Sequence, residues 1–143
     1  MRRLLALLLL YACDDAERPG AVGELGQPTD VLLGGWTPLV QVTLDDREPE
    51  WMLVDTGAPY LYVDPTVFDL EDGVTVLRDR SIGAFGLTFN ERDVQILDLG
   101  GSLAGLVGAE ILSDYQFVVD YQASEAYLFG DVELPADLGA DTL

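Results

Sequence analysis

The residues best suited to chemistry in this sequence are Asp55, Thr56 and Gly57, which directly follow the apolar stretch Trp51–Val54. An apolar run of this kind is expected to form a strand that is buried on both faces. A carboxylate in such a strand is costly unless it is paired, or its pKa rises until it is neutral. We therefore expect Asp55 to belong to a site in which a carboxylate acts as an acid or a base.

Histidine is absent from the sequence. This excludes Ser-His and Cys-His mechanisms and most zinc sites, because these need an imidazole. The acidic pairs Asp45-Asp46 and Glu71-Asp72 lie in predicted turns, and no calcium-binding loop of alternating oxygen ligands surrounds them, so we interpret them as solvated surface. No metal and no cofactor are expected, and carboxylates remain as the available acid and base.

Short apolar runs separated by turn residues predict a mainly β domain with one short helix. Gly57 allows the chain to turn sharply after Asp55, so the carboxylate is expected at the tip of a loop. Strands are predicted at Val31–Leu33, Pro38–Leu44, Trp51–Val54, Val74–Leu77, Val94–Leu99, Leu103–Val107, Tyr115–Asp120 and Ala126–Phe129, with a hairpin tip at Ile82–Gly86 and a helix at Ala109–Asp114.

The amino-terminal residues predict an export signal. Arg2 and Arg3 precede the apolar run Leu4–Leu10, which is too short to span a bilayer. The run ends in Leu10-Tyr11-Ala12-Cys13, which resembles a bacterial lipobox and implies a lipid anchor on Cys13. The alternative is an ordinary signal peptide that leaves Cys13 as an incidental thiol. Since Cys13 is the only cysteine, an intrachain disulfide is excluded.

The predicted organisation is a signal peptide over residues 1–12, an acidic flexible tether over 13–28, a folded domain over 29–131 and an acidic tail over 132–143. The formal net charge is −19 and lysine is absent. Nucleic acid and anionic membrane surfaces are therefore not expected as electrostatic partners. Membrane attachment would instead be through lipid, at the cell envelope, facing the periplasm or the exterior.

Two separated motifs carry a resemblance to the retropepsin-like aspartic proteases. The first is Asp55-Thr56-Gly57-Ala58 after an apolar strand, and the second is Leu106-Val107-Gly108 before a short helix, about fifty residues later. The segment Gly108–Tyr121 resembles the end of bacterial members, and the resemblance as a whole covers Trp36–Phe129. It implies an acid-protease half-barrel with one short carboxy-terminal helix.

The resemblance also implies a role for each motif residue. Asp55 would be the catalytic aspartate, Thr56 would brace the active-site loops through its hydroxyl, and Gly57 would expose backbone to a peptide or protein substrate. Because one chain supplies one such aspartate, the family's solution is a homodimer in which two Asp55 side chains share a proton. The residues that would support the site are Ala58, Leu106, Val107 and Gly108.

A flap that closes over the substrate is also implied. Its tip would be formed by Ile82, Gly83, Ala84, Phe85 and Gly86, and the alternative for this segment is a plain β-turn. The sequence departs from viral members at Pro59 and Ala109, where those enzymes place an acidic residue and an arginine that pair.

A second interpretation of Asp55 involves no chemistry. The carboxylate would accept hydrogen bonds from the backbone of Thr56 and Gly57 and would only stabilise a turn. The protein would then be a catalytically inactive, lipid-anchored β-domain that acts as a binding module at the cell envelope.

Overall fold

The computed structural model describes residues 5–8, 20–35 and 37–130. Within these residues it shows a mainly β protein with one short helix, which confirms the predicted fold class at this level. The strands are β1 (Leu5–Leu8), β2 (Ala21–Gly23), β3 (Thr29–Gly34), β4 (Thr37–Leu44), β5 (Glu50–Val54), β6 (Tyr62–Val63), β7 (Val76–Ala84), β8 (Leu87–Ile96), β9 (Gly105–Val107), β10 (Gln116–Asp120) and β11 (Glu125–Phe129), and the helix is α1 (Ala109–Leu112).

Six strands form a closed barrel in the order β4, β5, β9, β6, β8 and β7, with β7 pairing back onto β4. The other strands extend the sheet: β3 leads from β4 to β11, β10 and β1, and β2 pairs with β8. Where the sequence predicted a half-barrel, the barrel thus closes within one chain. Closure matters because it pairs the edges of the strands that carry the candidate site.

The alternation of apolar residues along the strands explains why the barrel has a hydrophobic core. In β4, the side chains of Pro38, Val40, Val42 and Leu44 are buried while the intervening residues are half-buried or exposed. Successive side chains of a strand point to opposite faces, so this pattern places one face of β4 in the core. The core continues through the other barrel strands and α1.

The strand β9 is inserted between β5 and β6, and this arrangement decides where Asp55 lies. Leu106 of β9 pairs with Leu53 of β5 in parallel and with Tyr62 of β6 in antiparallel. The chain that leaves β5 must therefore pass over the carboxyl end of β9 before it returns as β6. Asp55 is the first residue of that crossing.

Backbone pairing is present before residue 29, the predicted start of the folded domain. Ala21–Gly23 pairs with Leu87–Phe89, and the N–H of Gly26 donates to the carbonyl oxygen of Leu128 over 2.8 Å. These contacts lie within the segment 13–28, which was predicted as an acidic flexible tether. The backbone pairing was missed because the segment has little apolar periodicity.

Leu5–Leu8, which belongs to the predicted signal peptide, forms a strand against Phe117–Asp120. The predicted lipidation site Cys13 and the predicted tail 132–143 lie outside the described residues. Among the residues that are described, the one helix is too short to cross a membrane.

We predict that Gly105→Ala destabilises the barrel by about 1–3 kcal/mol, because the added methyl group has no room. A Cβ at Gly105 would lie 2.2 Å from the carbonyl oxygen of Tyr62 and 2.8 Å from the sulfur of Met52. Gly34→Ala is the matched control, since its nearest neighbour is the flexible end of Leu39 at 3.4 Å. Urea denaturation measures both, and equal losses in the two variants would contradict the prediction.

Candidate active site

Asp55 is anchored by its backbone to the strand that it crosses. Its N–H donates to the carbonyl oxygen of Val107 over 3.0 Å, and its carbonyl oxygen accepts from the N–H of Ala58 over 3.1 Å. The first bond continues the parallel pairing of β5 with β9, and the second closes a turn. Asp55 is therefore held at the point where β5 ends and the crossing loop begins.

The strand that leads to Asp55 is buried on one face only. Met52 and Val54 are buried in the core, whereas Trp51 and Leu53 are half-exposed on the other face. The expectation of burial on both faces is therefore wrong, because that face of the barrel is open where the crossing loop begins. Asp55 itself is half-buried and accessible, so it does not carry the full cost of an unpaired interior charge.

One oxygen of the Asp55 carboxylate has a partner within the described part of the chain. Oδ1 accepts a hydrogen bond from the N–H of Gly57 over 2.9 Å. A Cβ at Gly57 would lie 3.2 Å from this oxygen, so glycine keeps the approach unhindered. The carboxylate is thus oriented through Oδ1, while the contacts described for this part of the chain leave Oδ2 for a ligand.

The loop after Asp55 is held against β9 and the start of α1. The N–H groups of Ala109 and Glu110 donate to the carbonyl oxygens of Ala58 and Pro59, over 2.8 and 3.1 Å respectively. These two bonds also satisfy donors at the start of the helix, where α1 has no side-chain cap. Pro59 and Ala109, the positions of the missing charged pair, thus lie in segments joined through the backbone.

Gly108 is the residue that allows this contact. A Cβ there would lie 2.2 Å from the carbonyl oxygen of Tyr60 and 2.4 Å from that of Ala58, distances that a side chain cannot adopt. The fold therefore brings together Asp55, the loop that follows it and the segment Leu106–Gly108.

An apolar row crosses the outer face of the sheet beside Asp55. We call Leu39, Leu53, Leu106 and Tyr62 the outer apolar row, because they lie opposite one another on β4, β5, β9 and β6. All four are half-buried, and none belongs to the core cluster. Asp55 follows Leu53 by two positions, so it lies on the same side of the sheet.

The outer apolar row is extended at both ends. Leu32 pairs with Leu39 and is 52% exposed, and Tyr60 is 48% exposed with its ring 6.2 Å from that of Tyr62. Apolar side chains in an accessible row are suited to binding an apolar ligand that lies across the strands.

The segment predicted as a flap tip, Ile82–Gly86, is the tip of the β7–β8 hairpin, and β4 separates β7 from β5. Ala84 pairs with Val42, and Val42 pairs with Glu50, the first residue of β5. Ala84 is therefore level with Glu50, about 16 Å along the strands from Asp55 at the usual rise of a strand. Because β7 and β5 both run antiparallel to β4, the hairpin tip points in the same direction along the barrel as the end of β5 that carries Asp55.

This hairpin tip is also packed into the protein. Phe85 is 2% exposed, and its ring lies 5.7 Å from that of Phe117. A Cβ at Gly83 would lie 2.2 Å from the hydroxyl oxygen of Thr43, so the hairpin is in close contact with β4. This close packing gives a flap role no support, because a lid needs a loosely packed tip. The alternative of a plain hairpin turn describes the geometry.

Sequence reasoning missed a second carboxylate, Asp64, at the end of β6. Its side chain is fully buried and accepts four backbone hydrogen bonds. Oδ1 accepts from Thr66 and Val67 over 2.8 and 3.1 Å, and Oδ2 accepts from Leu99 and Gly101 over 2.6 and 3.2 Å. The signal was available, since Asp64 follows the apolar run Leu61–Val63 in the same way that Asp55 follows β5.

The surroundings of Asp64 favour its charged form. Burial by itself raises the pKa of Asp64, but the four backbone N–H groups outweigh burial and hold the pKa below its usual range. Asp64 is therefore an ionised group inside the protein, and it is satisfied by N–H groups instead of a counterion. In the described part of the chain, His, Cys, Asp and Glu side chains do not form any group of three or more that could hold a metal ion.

We predict that Asp64→Asn removes part of the acid sensitivity of folding. Because the pKa of Asp64 is lowered by folding, its stabilising effect is fully present above the unfolded-state pKa of about 4 and is lost as the pH falls through the folded-state pKa. The variant should be less stable than the wild type at pH 7, and this difference should shrink in acid.

The measurement is urea denaturation of both proteins between neutral pH and about pH 3. Asp120→Asn is the matched control, because Oδ1 of Asp120 accepts from the N–H groups of Gln122 and Ala123 and an asparagine oxygen can replace it. A difference between wild type and Asp64→Asn that stays constant over the whole pH range would contradict the prediction.

No protein-family model matches this chain, and no curated protein matches it. The resemblance to the retropepsin-like aspartic proteases therefore rests on the two sequence motifs.

Proposed function

We propose that the protein is an aspartic endopeptidase of the retropepsin-like type, which hydrolyses peptide bonds with a water activated by two Asp55 side chains across a homodimer. The observation that carries the proposal is the attachment of Asp55. The backbone of Asp55 is hydrogen-bonded to Val107, and the loop after Asp55 packs closely against Gly108. The Asp55 side chain is half-buried beside the outer apolar row. The two sequence motifs thus meet in one rigid element, as a catalytic carboxylate requires.

The chemistry needs two carboxylates in different protonation states. When two Asp55 side chains lie close together, both cannot ionise readily, so the pair holds one proton. The ionised carboxylate accepts a proton from a water molecule, which attacks the peptide carbonyl carbon. The protonated carboxylate donates to the carbonyl oxygen, which gives a tetrahedral diol. The first carboxylate then passes the proton that it took from water to the amide nitrogen, the C–N bond breaks and the amine leaves, while the second carboxylate takes back a proton from a diol hydroxyl. The pair titrates as a unit, and activity is expected to be favoured in acid.

The substrate would be an extended peptide with apolar side chains near the cleaved bond. Such a segment matches the outer apolar row, which offers Leu53, Leu106 and Tyr62 on neighbouring strands beside Asp55. Tyr60 adds an exposed ring on the loop that carries the carboxylate. Thr56 would brace the paired loops through its hydroxyl, as the resemblance implies.

The proposed location is the cell envelope, with attachment through lipid on Cys13 and the folded part facing the periplasm or the exterior. This part of the proposal rests on the lipobox-like sequence Leu10-Tyr11-Ala12-Cys13. Replacement of Cys13 by alanine would release the protein from membranes if the lipid is the anchor.

One observation favours the second candidate, an inactive binding module. The hydrogen bond from the N–H of Gly57 to Asp55 is the contact that a purely structural turn carboxylate would make. In that case the outer apolar row would bind an apolar segment of a protein without cleaving it. Loss of the Asp55 charge would then leave binding unchanged.

We predict that Asp55→Asn lowers peptidase activity by at least about 100-fold, because an amide cannot accept or donate the proton. Asparagine keeps an oxygen for the N–H of Gly57, so the fold should survive, as circular dichroism would show. Asp98→Asn is the matched control, because Asp98 is exposed and accepts from the N–H of Gly100 over 2.9 Å in the same type of turn. Peptides with apolar residues around the cleaved bond are assayed between about pH 3.5 and 7. Equal activity in wild type and Asp55→Asn would exclude the proposed mechanism.

We also predict that Asp55→Asn lowers the peptidase activity of the wild-type protein when the two are mixed. A mixed dimer carries one carboxylate and one amide, so it lacks the pair of carboxylates that the mechanism needs. After subunit exchange of equal amounts, about one quarter of the dimers hold two Asp55 side chains, so activity should fall to about one quarter of that of the same total of wild type. Independent monomers would retain about half. Sedimentation of the same samples measures the oligomeric state, and an active monomer would contradict the proposal.

A further inference from the structure

Asp64 joins two connections that lie on either side of the β7–β8 hairpin in the sequence. Through Thr66 and Val67 it holds the chain that leaves β6, and through Leu99 and Gly101 it holds the chain that leads into β9. The two segments are distant in sequence, so the single side chain links parts of the fold that no continuous stretch joins.

The backbone around Asp64 reinforces this link. The N–H of Asp64 donates to the carbonyl oxygen of Ala104 over 2.8 Å, and the N–H of Leu97 donates to the carbonyl oxygen of Val63 over 3.1 Å. Ala104 directly precedes β9. The start of β9 is therefore held by Asp64 and its immediate neighbours.

The other end of β9 holds Asp55. Val107 is the last residue of β9, and its carbonyl oxygen accepts from the N–H of Asp55 over 3.0 Å. With three residues, β9 spans about 10 Å. The hydrogen bonds of Asp64 at the start of β9 therefore lie one short strand away from the candidate catalytic residue Asp55. A strand this short makes few contacts of its own, and its ends determine its position.

A shift of β9 by one residue would disrupt the site. The side chains of Leu106 and Val107 point to opposite faces, so a slip would exchange the outer apolar row with the core. Gly105 and Gly108 would also leave the two positions where backbone approaches too closely for a side chain. The position of Asp55 therefore depends on the register of β9.

We propose that Asp64 is a positioning residue for Asp55. The Asp64 side chain sets the register of β9 through the four hydrogen bonds that it accepts from backbone N–H groups. The catalytic consequence rests on the proposed peptidase function, but the positioning itself does not. Charge is part of the role, since an ionised carboxylate has no donor of its own and accepts from all four N–H groups. In Asp64→Asn, one oxygen can serve Thr66 and Val67, while the amide NH₂ group faces the N–H groups of Leu99 and Gly101.

The test is hydrogen exchange of individual backbone amides in the full-length protein at neutral pH, for wild type, Asp64→Asn and Asp120→Asn. The amides of the β7–β8 hairpin report the stability of the whole barrel. In Asp64→Asn, we expect the exchange rate of the Asp55 amide to increase by a factor at least about tenfold larger than the factor by which the hairpin amides change. Asp120→Asn should change only its own turn. An Asp55 amide that is unchanged, or that changes in step with the hairpin, would overturn the inference and leave Asp64 a general stabiliser.

A peptidase assay tests the catalytic consequence separately. If wild type cleaves peptides, Asp64→Asn should lower kcat more than it raises KM, because the outer apolar row remains while the carboxylate is displaced. Unchanged kcat in a variant whose Asp55 amide exchanges faster would overturn the link to catalysis. An inactive wild type would count against the proposed function only, since the amide measurement needs no activity.

Should Asp64→Asn fail to fold, exchange in the wild type is followed into acid, where protonation of the same carboxylate removes the same acceptor. The other carboxylates on the connections around Asp64 are Asp69, Glu71, Asp72 and Asp98, which are all exposed. The hydrogen bond described for Asp98 lies within its own turn. After correction for the intrinsic pH dependence of exchange, the Asp55 amide should lose protection before the hairpin amides do. Simultaneous loss would overturn the inference.

Discussion

The close insertion of β9 between β5 and β6 is the constraint on which the rest of the structure depends. It forces the chain after β5 to cross the end of β9, and this crossing places Asp55 above Val107. The insertion is possible because Gly105 and Gly108 let backbone approach backbone where any side chain would collide. Pairing on both sides of β9 then completes the barrel and leaves the crossing loop little freedom.

Asp55 and Asp64 show two ways in which this fold treats a carboxylate after an apolar strand. Asp64 is fully buried and remains ionised because four N–H groups surround it. Asp55 is half-buried and, among the described residues, accepts one such bond, from the N–H of Gly57. A fully satisfied carboxylate is suited to structure, whereas one with an oxygen left over is suited to binding a ligand or a proton. The two residues lie at opposite ends of the same short strand.

The barrel has a distinct inner and outer surface, and the candidate site uses the outer one. The core takes one residue of every two along each strand, and the outer apolar row takes the intervening residues of β4, β5, β9 and β6. A row of this kind beside an accessible carboxylate is what separates the candidate site from an ordinary sheet surface. The tip of the β7–β8 hairpin is packed into the protein through Phe85, whose ring contacts that of Phe117.

The sequence by itself determined the mainly β class, the positions of most strands and the short helix, because apolar periodicity and turn residues act locally. It also determined that Asp55 and Leu106–Gly108 are the motifs to compare. Tertiary structure alone decided that β9 lies between β5 and β6, that residues 21–23 pair with β8, and that Phe85 in the Ile82–Gly86 hairpin tip is packed against Phe117. It also decided which of two similar carboxylates is buried, since Asp64 finds its four donors on segments more than thirty residues apart. Local pattern shows that a side chain is apolar or charged, but only the assembled fold shows what surrounds it.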